Sequence, residues 1–251
     1  MSVAATARPP MGDSPARARA KETLWRLAAL ALGHPSPEFH RAVASGDFHA
    51  AFSAALADVT GAAWPNPGGT GDFAAFEAGY IEAFLHGRGG KPTAALLAGD
   101  HEPILAGLTR PAFMLNLAAF YKHFGLKAAT DDEGKNDEPD HLASMLELMA
   151  VLCHLEATAL GKGRDPDPYR RAQRDFLCRY LHQTLATVAG LLRRHPIAGL
   201  DPTLAQLVQD IAQWGGQQIT ELEVRVGPFR GPDAPKPAQT TAEPASQNLW
   251  G

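Results

Sequence analysis

P-D-H-L-A-S-M-L-E-L-M-A-V-L-C-H-L-E-A-T-A-L-G, residues 139–161, sets the fold class. Leu142, Met145, Leu146, Met149, Leu152 and Cys153 recur at helical spacing, which puts an apolar stripe on one face of a helix. Pro139 suits a first helical turn, and Gly161-Lys162-Gly163 stops the run. Asp137 or Glu138 is the expected cap, and Asp140 then sits where the helix dipole favours a negative charge. On this reading Asp140, Ser144 and Glu147 share one face. Asp140 and His141 stand at a solvent-accessible helix start, where His141 has no structural task because a cation there opposes the dipole. Replacing either by alanine is then expected to leave the domain folded.

The same signals recur on both sides of this stretch. Upstream, Ser14-Pro15 opens a helix bearing Leu24, Leu27, Ala28 and Ala31, and Gly33 ends it. Ser36-Pro37 opens a short one with Phe39 and Val43, ended by Gly46. Asp47 caps a third, bearing Phe48, Phe52, Leu56 and Val59, and Asp72 caps a fourth, with Phe73, Phe76, Tyr80 and Phe84. Pro111 starts a helix with Met114, Leu117, Tyr121 and Phe124, closed by Gly125. Residues 126–136 are polar and turn-like. Downstream, Asp167-Pro168 begins one long helix carrying Tyr169, Phe176, Leu177, Tyr180, Leu181, Leu185, Val188 and Leu192. Asp201-Pro202 begins the last, with Leu204, Leu207, Val208, Ile211 and Trp214. No alternating strand pattern interrupts the series. The expected fold is all-α, one globular domain of roughly eight to ten helices over residues 14–226. Residues 1–13 and the Pro-, Thr- and Ala-rich residues 227–251 are expected to be a disordered lead and tail.

The 251 residues are 45% hydrophobic and 20% charged, ordinary for a soluble domain with a sizeable core. A formal net charge of −4 supplies no field for nucleic acid. Cys153 and Cys178 are the two cysteines; without C-x-x-C spacing they read as buried free thiols of a reducing compartment. No apolar run is expected to reach the length of a membrane span.

Four features of the sequence bear on chemistry. H-G-R-G-G-K-P-T, residues 86–93, lacks the first glycine and the Ser/Thr of a phosphate-binding loop and follows no strand. It reads as a loop between helices, with a weak nucleotide contact as the alternative. No H-E-x-x-H or C-x-x-C pair marks a metal site, and no G-x-S-x-G elbow marks a hydrolase. The fourth, N-D-E-P-D-H-L-A-S-M-L-E-L-M, residues 136–149, stands out because capping alone does not require Pro-Asp-His.

E-P-D-H-L followed by L-E-L-M resembles the signature of the TorD/DmsD/NarJ family of redox-enzyme maturation chaperones. Phe120-Tyr121-Lys122-His123-Phe124-Gly125-Leu126 resembles the family's aromatic segment before the signature, and F-E-A-G-Y-I-E-A-F-L, residues 76–85, its upstream aromatic helix. The resemblance covers about residues 20–220. Met145 stands where many relatives have an acid, and the tryptophan often found after Pro168 is missing. The general pattern suggests the branch serving ethylbenzene, dimethylsulfide, selenate or chlorate-type molybdoenzymes.

The resemblance implies a cytoplasmic chaperone rather than an enzyme, with no cofactor or metal of its own. Its partner would be an apo molybdoenzyme catalytic subunit with its twin-arginine leader, held until the cofactor is inserted. Such a leader needs apolar walls and acidic groups. Glu138, Asp140 and Glu147 are the expected arginine partners, Tyr121, Phe124 and Leu142 the expected apolar wall, and Pro139 and His141 complete the client-binding segment. Two alternatives are a weak nucleotide hydrolase using Gly87–Lys91 with Glu138 and Asp140, and a subunit retained in the mature complex. Monomer and homodimer are both open, as is segment swapping between copies.

Overall fold

The computed structural model describes residues 13–69, 71–87, 89–126 and 138–231. Most of the expected lead and tail, Asp137 and most of the expected polar turn lie outside the described residues. Within them the chain forms α1 (Pro15–Leu32), α2 (Pro37–Ser45), α3 (Asp47–Thr60), α4 (Phe73–Tyr80), α5 (Glu102–Leu105), α6 (Arg110–His123), α7 (Leu142–Gly161), α8 (Asp167–Phe176), α9 (His182–Arg194) and α10 (Pro202–Val226). No strand is found among the described residues, only one isolated antiparallel bridge between Leu97 and His141. The all-α expectation holds.

Most predicted starts carry their caps. Ser14 and Ser36 hydroxyls accept from the backbone N–H groups of Arg17 and Phe39, each at 3.1 Å. The Asp72 and Asp201 carboxylates accept from Ala75 and Thr203, each at 2.8 Å. Each satisfies an amide the first turn leaves unpaired. Asp47 is instead the first residue of α3; Gly46, at φ +85°, both ends α2 and caps α3. Only glycine turns that corner without strain. The single long helix expected from Asp167 is two helices, α8 and α9, joined by a π-helical turn at Leu177–Leu181. A second π turn, Ile81–Leu85, extends α4.

The core centres on α1 against α7. Leu24, Ala28 and Leu32 of α1 and Leu146, Met149, Leu152 and Cys153 of α7 belong to one buried cluster. Trp25 of α1 contacts Trp214 of α10 with ring centroids 4.3 Å apart, tying the last helix to the first. Gly79 of α4 lies so close to Gly199 that an added Cβ would stand 1.9 Å from its carbonyl oxygen, so side chains are excluded at that crossing. Contrary to expectation, α7 is by length and composition apolar enough to cross a membrane. With 61% of its apolar window buried, it fits the central core helix seen here.

Charge is buried where α1, α7, α8 and α10 converge. Glu156 accepts from Arg170 Nε and Gln173 Nε2, each at 2.8 Å. Glu221 accepts from Lys21 Nζ at 2.9 Å and from Arg17 Nη2 at 3.0 Å. Burial alone would raise the Glu221 carboxyl; the Arg17 hydrogen bonds and the Lys21 charge outweigh it and hold the pKa at about 2. Cys153 is a buried free thiol, raised by burial. Cys178 is only half-buried, and burial pushes it up to about 11; neither is a thiolate nucleophile at neutral pH.

Candidate functional site: a clasp beside an aromatic groove

Pro139-Asp140-His141 is not the start of α7, which begins at Leu142. The competing influence is the segment 94–98, a bent strip with Leu97 bridged to His141, that claims the backbone on both sides of His141. Ala98 N–H donates to the Asp140 carbonyl at 2.9 Å, and Leu142 N–H to the Leu96 carbonyl at 2.8 Å. Residues 138–141 therefore turn and bridge before the helix can begin. His141 has the structural task denied it by sequence reasoning: its Nδ1 accepts from Ala143 N–H at 3.2 Å as the N-cap. A neutral imidazole does this, so the objection to a cation does not apply.

Asp140 is wholly buried, not solvent-accessible. Its Oδ2 accepts from Gly99 N–H at 2.9 Å and lies 3.9 Å from the Arg110 guanidinium. Its Oδ1 is buried without a hydrogen-bond partner among the described residues. Arg110 also donates to Asp100 Oδ1 at 2.8 Å and Glu138 Oε2 at 3.4 Å, so three carboxylates surround one cation. A Cβ on Gly99 would stand 2.7 Å from Asp140 Oδ2 and 3.0 Å from Arg110 Nε, which leaves only glycine room at that position. Tyr121 of α6 closes the clasp by donating its hydroxyl to the Pro139 carbonyl at 2.9 Å. Burial, reinforced by the Glu147 and Asp140 charges, pushes its phenol well above the ordinary range.

The predicted residues therefore divide. Asp140 and Leu142 are fully buried, so neither presents a surface to a client: Asp140 fastens the clasp and Leu142 belongs to the core. Pro139 and His141 are partly buried and hold backbone geometry. Glu138 and Glu147 are exposed. Tyr121 on α6 and Phe124, which caps its C-terminus, are partly buried, and Phe124 lines a groove of about 660 Å³ between α6 and α8. Phe120, Phe124, Tyr169, Ala172 and Tyr180 line it, with Arg171, Asp175 and Arg179 among its charged groups. Arg179 lies over the Tyr180 ring, 5.1 Å from its centroid.

Gly99, Arg110 and the 94–98 strip escaped sequence reasoning. The signal available was A-A-L-L-A-G-D, apolar and then suddenly turn-like, with an arginine before Pro111. The 86–93 loop is a turn at Gly89 and Gly90, both at positive φ, lining a separate cleft of about 690 Å³ with His195 and Ile197. The hydrolase alternative needs Asp140 as an available acid, and the clasp has already claimed it. Among the described residues no three His, Cys, Asp or Glu side chains gather as a metal site.

Residues 46–188 match the family described as nitrate reductase delta subunit. The chain belongs to that family. It is 53% identical over 97% of both chains to the dimethyl sulfide dehydrogenase assembly chaperone protein of Rhodovulum sulfidophilum. It is 37% identical to the selenate reductase assembly chaperone protein of Thauera selenatis, over 58% of this chain and 73% of that one. It is 36% identical to the chlorate reductase assembly chaperone protein of Ideonella dechloratans, over 53% of this chain and 66% of that one. No solved structure matches. The family and these relatives bear out the resemblance to redox-enzyme maturation chaperones and to the branch suggested. The family match spans the whole clasp and every residue that lines the groove, from α3 to within α9.

Proposed function

We propose that this chain is a cytoplasmic assembly chaperone that binds the apo catalytic subunit of a molybdenum-containing oxidoreductase. It holds the subunit and its twin-arginine leader until the cofactor is in place, and catalyses no reaction itself. The observation that carries this reading is the open α6–α8 groove, lined by aromatic side chains with Asp175, Arg171 and Arg179 among its charged groups. An apolar segment of the client lies along Phe120, Phe124 and Tyr169. Its basic residues meet Glu138 and Glu147, the two predicted acids that remain exposed. Asp140, Pro139 and His141 act indirectly, as positioning residues that fix Glu138 and hold Tyr121 at the groove's edge.

Pull-down of the tagged chain, with mass spectrometry and cofactor analysis of what it captures, tests this. The expected capture is a cofactor-poor catalytic subunit with its leader intact. Phe124→Ala or a Glu138→Lys/Glu147→Lys double variant should lower recovery about tenfold, with the melting temperature nearly unchanged. Capture of only mature, cofactor-loaded enzyme in stoichiometric amount would make the chain a retained subunit instead.

A further inference from the structure

We propose that the α6–α8 groove selects its occupant by charge as well as by apolar surface. It takes a client segment that carries two carboxylates beside its apolar side chains, and Arg171 and Arg179 receive them. The inference rests on the proposed function for the groove's being the client's, and adds the chemistry of the part that enters it.

The groove runs against the charge of the chain. The whole sequence has a formal net charge of −4, yet Asp175 supplies the only carboxylate among the described residues that line the groove. That carboxylate is already engaged. Arg174, its neighbour on α8, reaches Asp175 Oδ1 with Nε at 2.8 Å and with Nη2 at 2.7 Å. Arg174 is itself held in place, donating to the carbonyls of Val226 and Gly227 at 3.1 and 2.7 Å. No ion pair joins Arg171 or Arg179 to a carboxylate among the described residues. Two cations without a counter-ion therefore border the aromatic surface of Phe120, Phe124 and Tyr169.

The setting of each arginine suits a carboxylate. Arg179 lies over the ring of the buried Tyr180, 5.1 Å from its centroid. Stacking on a ring fixes the guanidinium plane and leaves its N–H edge free to hold a carboxylate through two hydrogen bonds. Arg171 is exposed. The two are eight residues apart, roughly 12 Å of helix. A helical occupant meets both with acids seven or eight residues apart, beside its apolar stripe. Lysine or arginine at those positions would set like charges against each other and be rejected. Arg171 and Arg179 are thus specificity-determining residues. The client's basic residues fall outside the groove, at Glu138 and Glu147, neither of which lines it.

The test uses two fluorescein-labelled peptides of sixteen residues with the same leucine and phenylalanine face. They differ at two positions eight residues apart, both glutamate in one and both lysine in the other. Titrated with the full chain at low salt and read by fluorescence anisotropy, the glutamate peptide should bind about tenfold more tightly than the lysine peptide. The gap should narrow as salt is raised. R171E/R179E should reverse the order. R171E alone, on an exposed side chain, should narrow the preference about threefold, a readout that stands even where R179E disturbs packing on Tyr180. Equal binding of both peptides, binding of neither, or a preference that survives the double substitution would overturn the inference. Self-association of the parent chain that R171E/R179E abolishes would also overturn it, by giving the groove to a second copy. The pull-down separates this inference from the proposed function. Capture of the catalytic subunit that R171E/R179E leaves undiminished sinks the inference alone. Glutamate preference without any such capture sinks the chaperone reading and leaves the groove's preference for acids standing.

Discussion

Helices α6 and α7 are both rich in apolar residues, yet they are used in opposite ways. Eleven of the twenty residues of α7 are buried, and α1 lies along it. Of the fourteen residues of α6, only Phe113 and Leu117 are buried, while Leu115 is 71% exposed. Apolar content alone therefore does not say which helix is core. What separates them is the partner each finds within the chain: α7 finds α1, whereas α6 is anchored at its ends, by Arg110 and by Tyr121, and leaves a flank open. A helix fastened at its ends and uncovered along its side leaves apolar surface open, and the groove proposed to take the client lies along it.

The contrast can be broken most directly in the core. Leu146→Ala removes a fully buried side chain of α7 and should cost about 2–5 kcal/mol in denaturant unfolding; a loss below about 1 kcal/mol would mean α7 is not the central helix. Asp140→Ala comes next. It leaves Gly99 N–H without its acceptor and should cost about 1–3 kcal/mol. Unchanged stability would restore the exposed reading of Asp140. The ionic junction of α1 and α10 answers to pH. Because the Glu221 carboxyl is held at about 2, below its ordinary value of 4.5, its contribution is complete above the ordinary value and is lost as pH falls through that interval. Melting temperatures from pH 5 to pH 2 should fall less steeply for Glu221→Gln than for the parent; parallel curves would remove Glu221 from the account. The smallest effect belongs to α6: Leu115→Ser should shift stability by no more than about 0.5 kcal/mol.

The fold was legible where local chemistry decides it. Ser14, Ser36, Asp72 and Asp201 announced their helices because a cap and a proline or apolar run lie within a few residues of one another. The start of α7 was not legible, because a partner more than forty residues upstream, the 94–98 strip, claims the backbone that Pro139 would otherwise commit to helix. The same distance hid the site's construction. Asp140 was found from its motif, but its burial depends on Gly99 and Arg110, which no local pattern links to it. Phe124 was found, while Tyr169 and Tyr180 across the groove appeared in the sequence only as members of another helix's apolar stripe.

The π turn at Leu177–Leu181 has a consequence for how this chain can change length. Such a turn holds one residue more than an α-helical turn, with the helix on either side keeping its own rotational phase. Losing a residue there, Cys178 for instance, would let the bulge close into ordinary helix. Tyr169 would still face the groove, and Leu185 and Val188 would still face the core. A deletion one turn further along α9, with no surplus residue to absorb it, would rotate everything beyond it by roughly 100°. The groove wall thus contains a position where a deletion is nearly silent for the fold but alters the shape of the proposed binding surface.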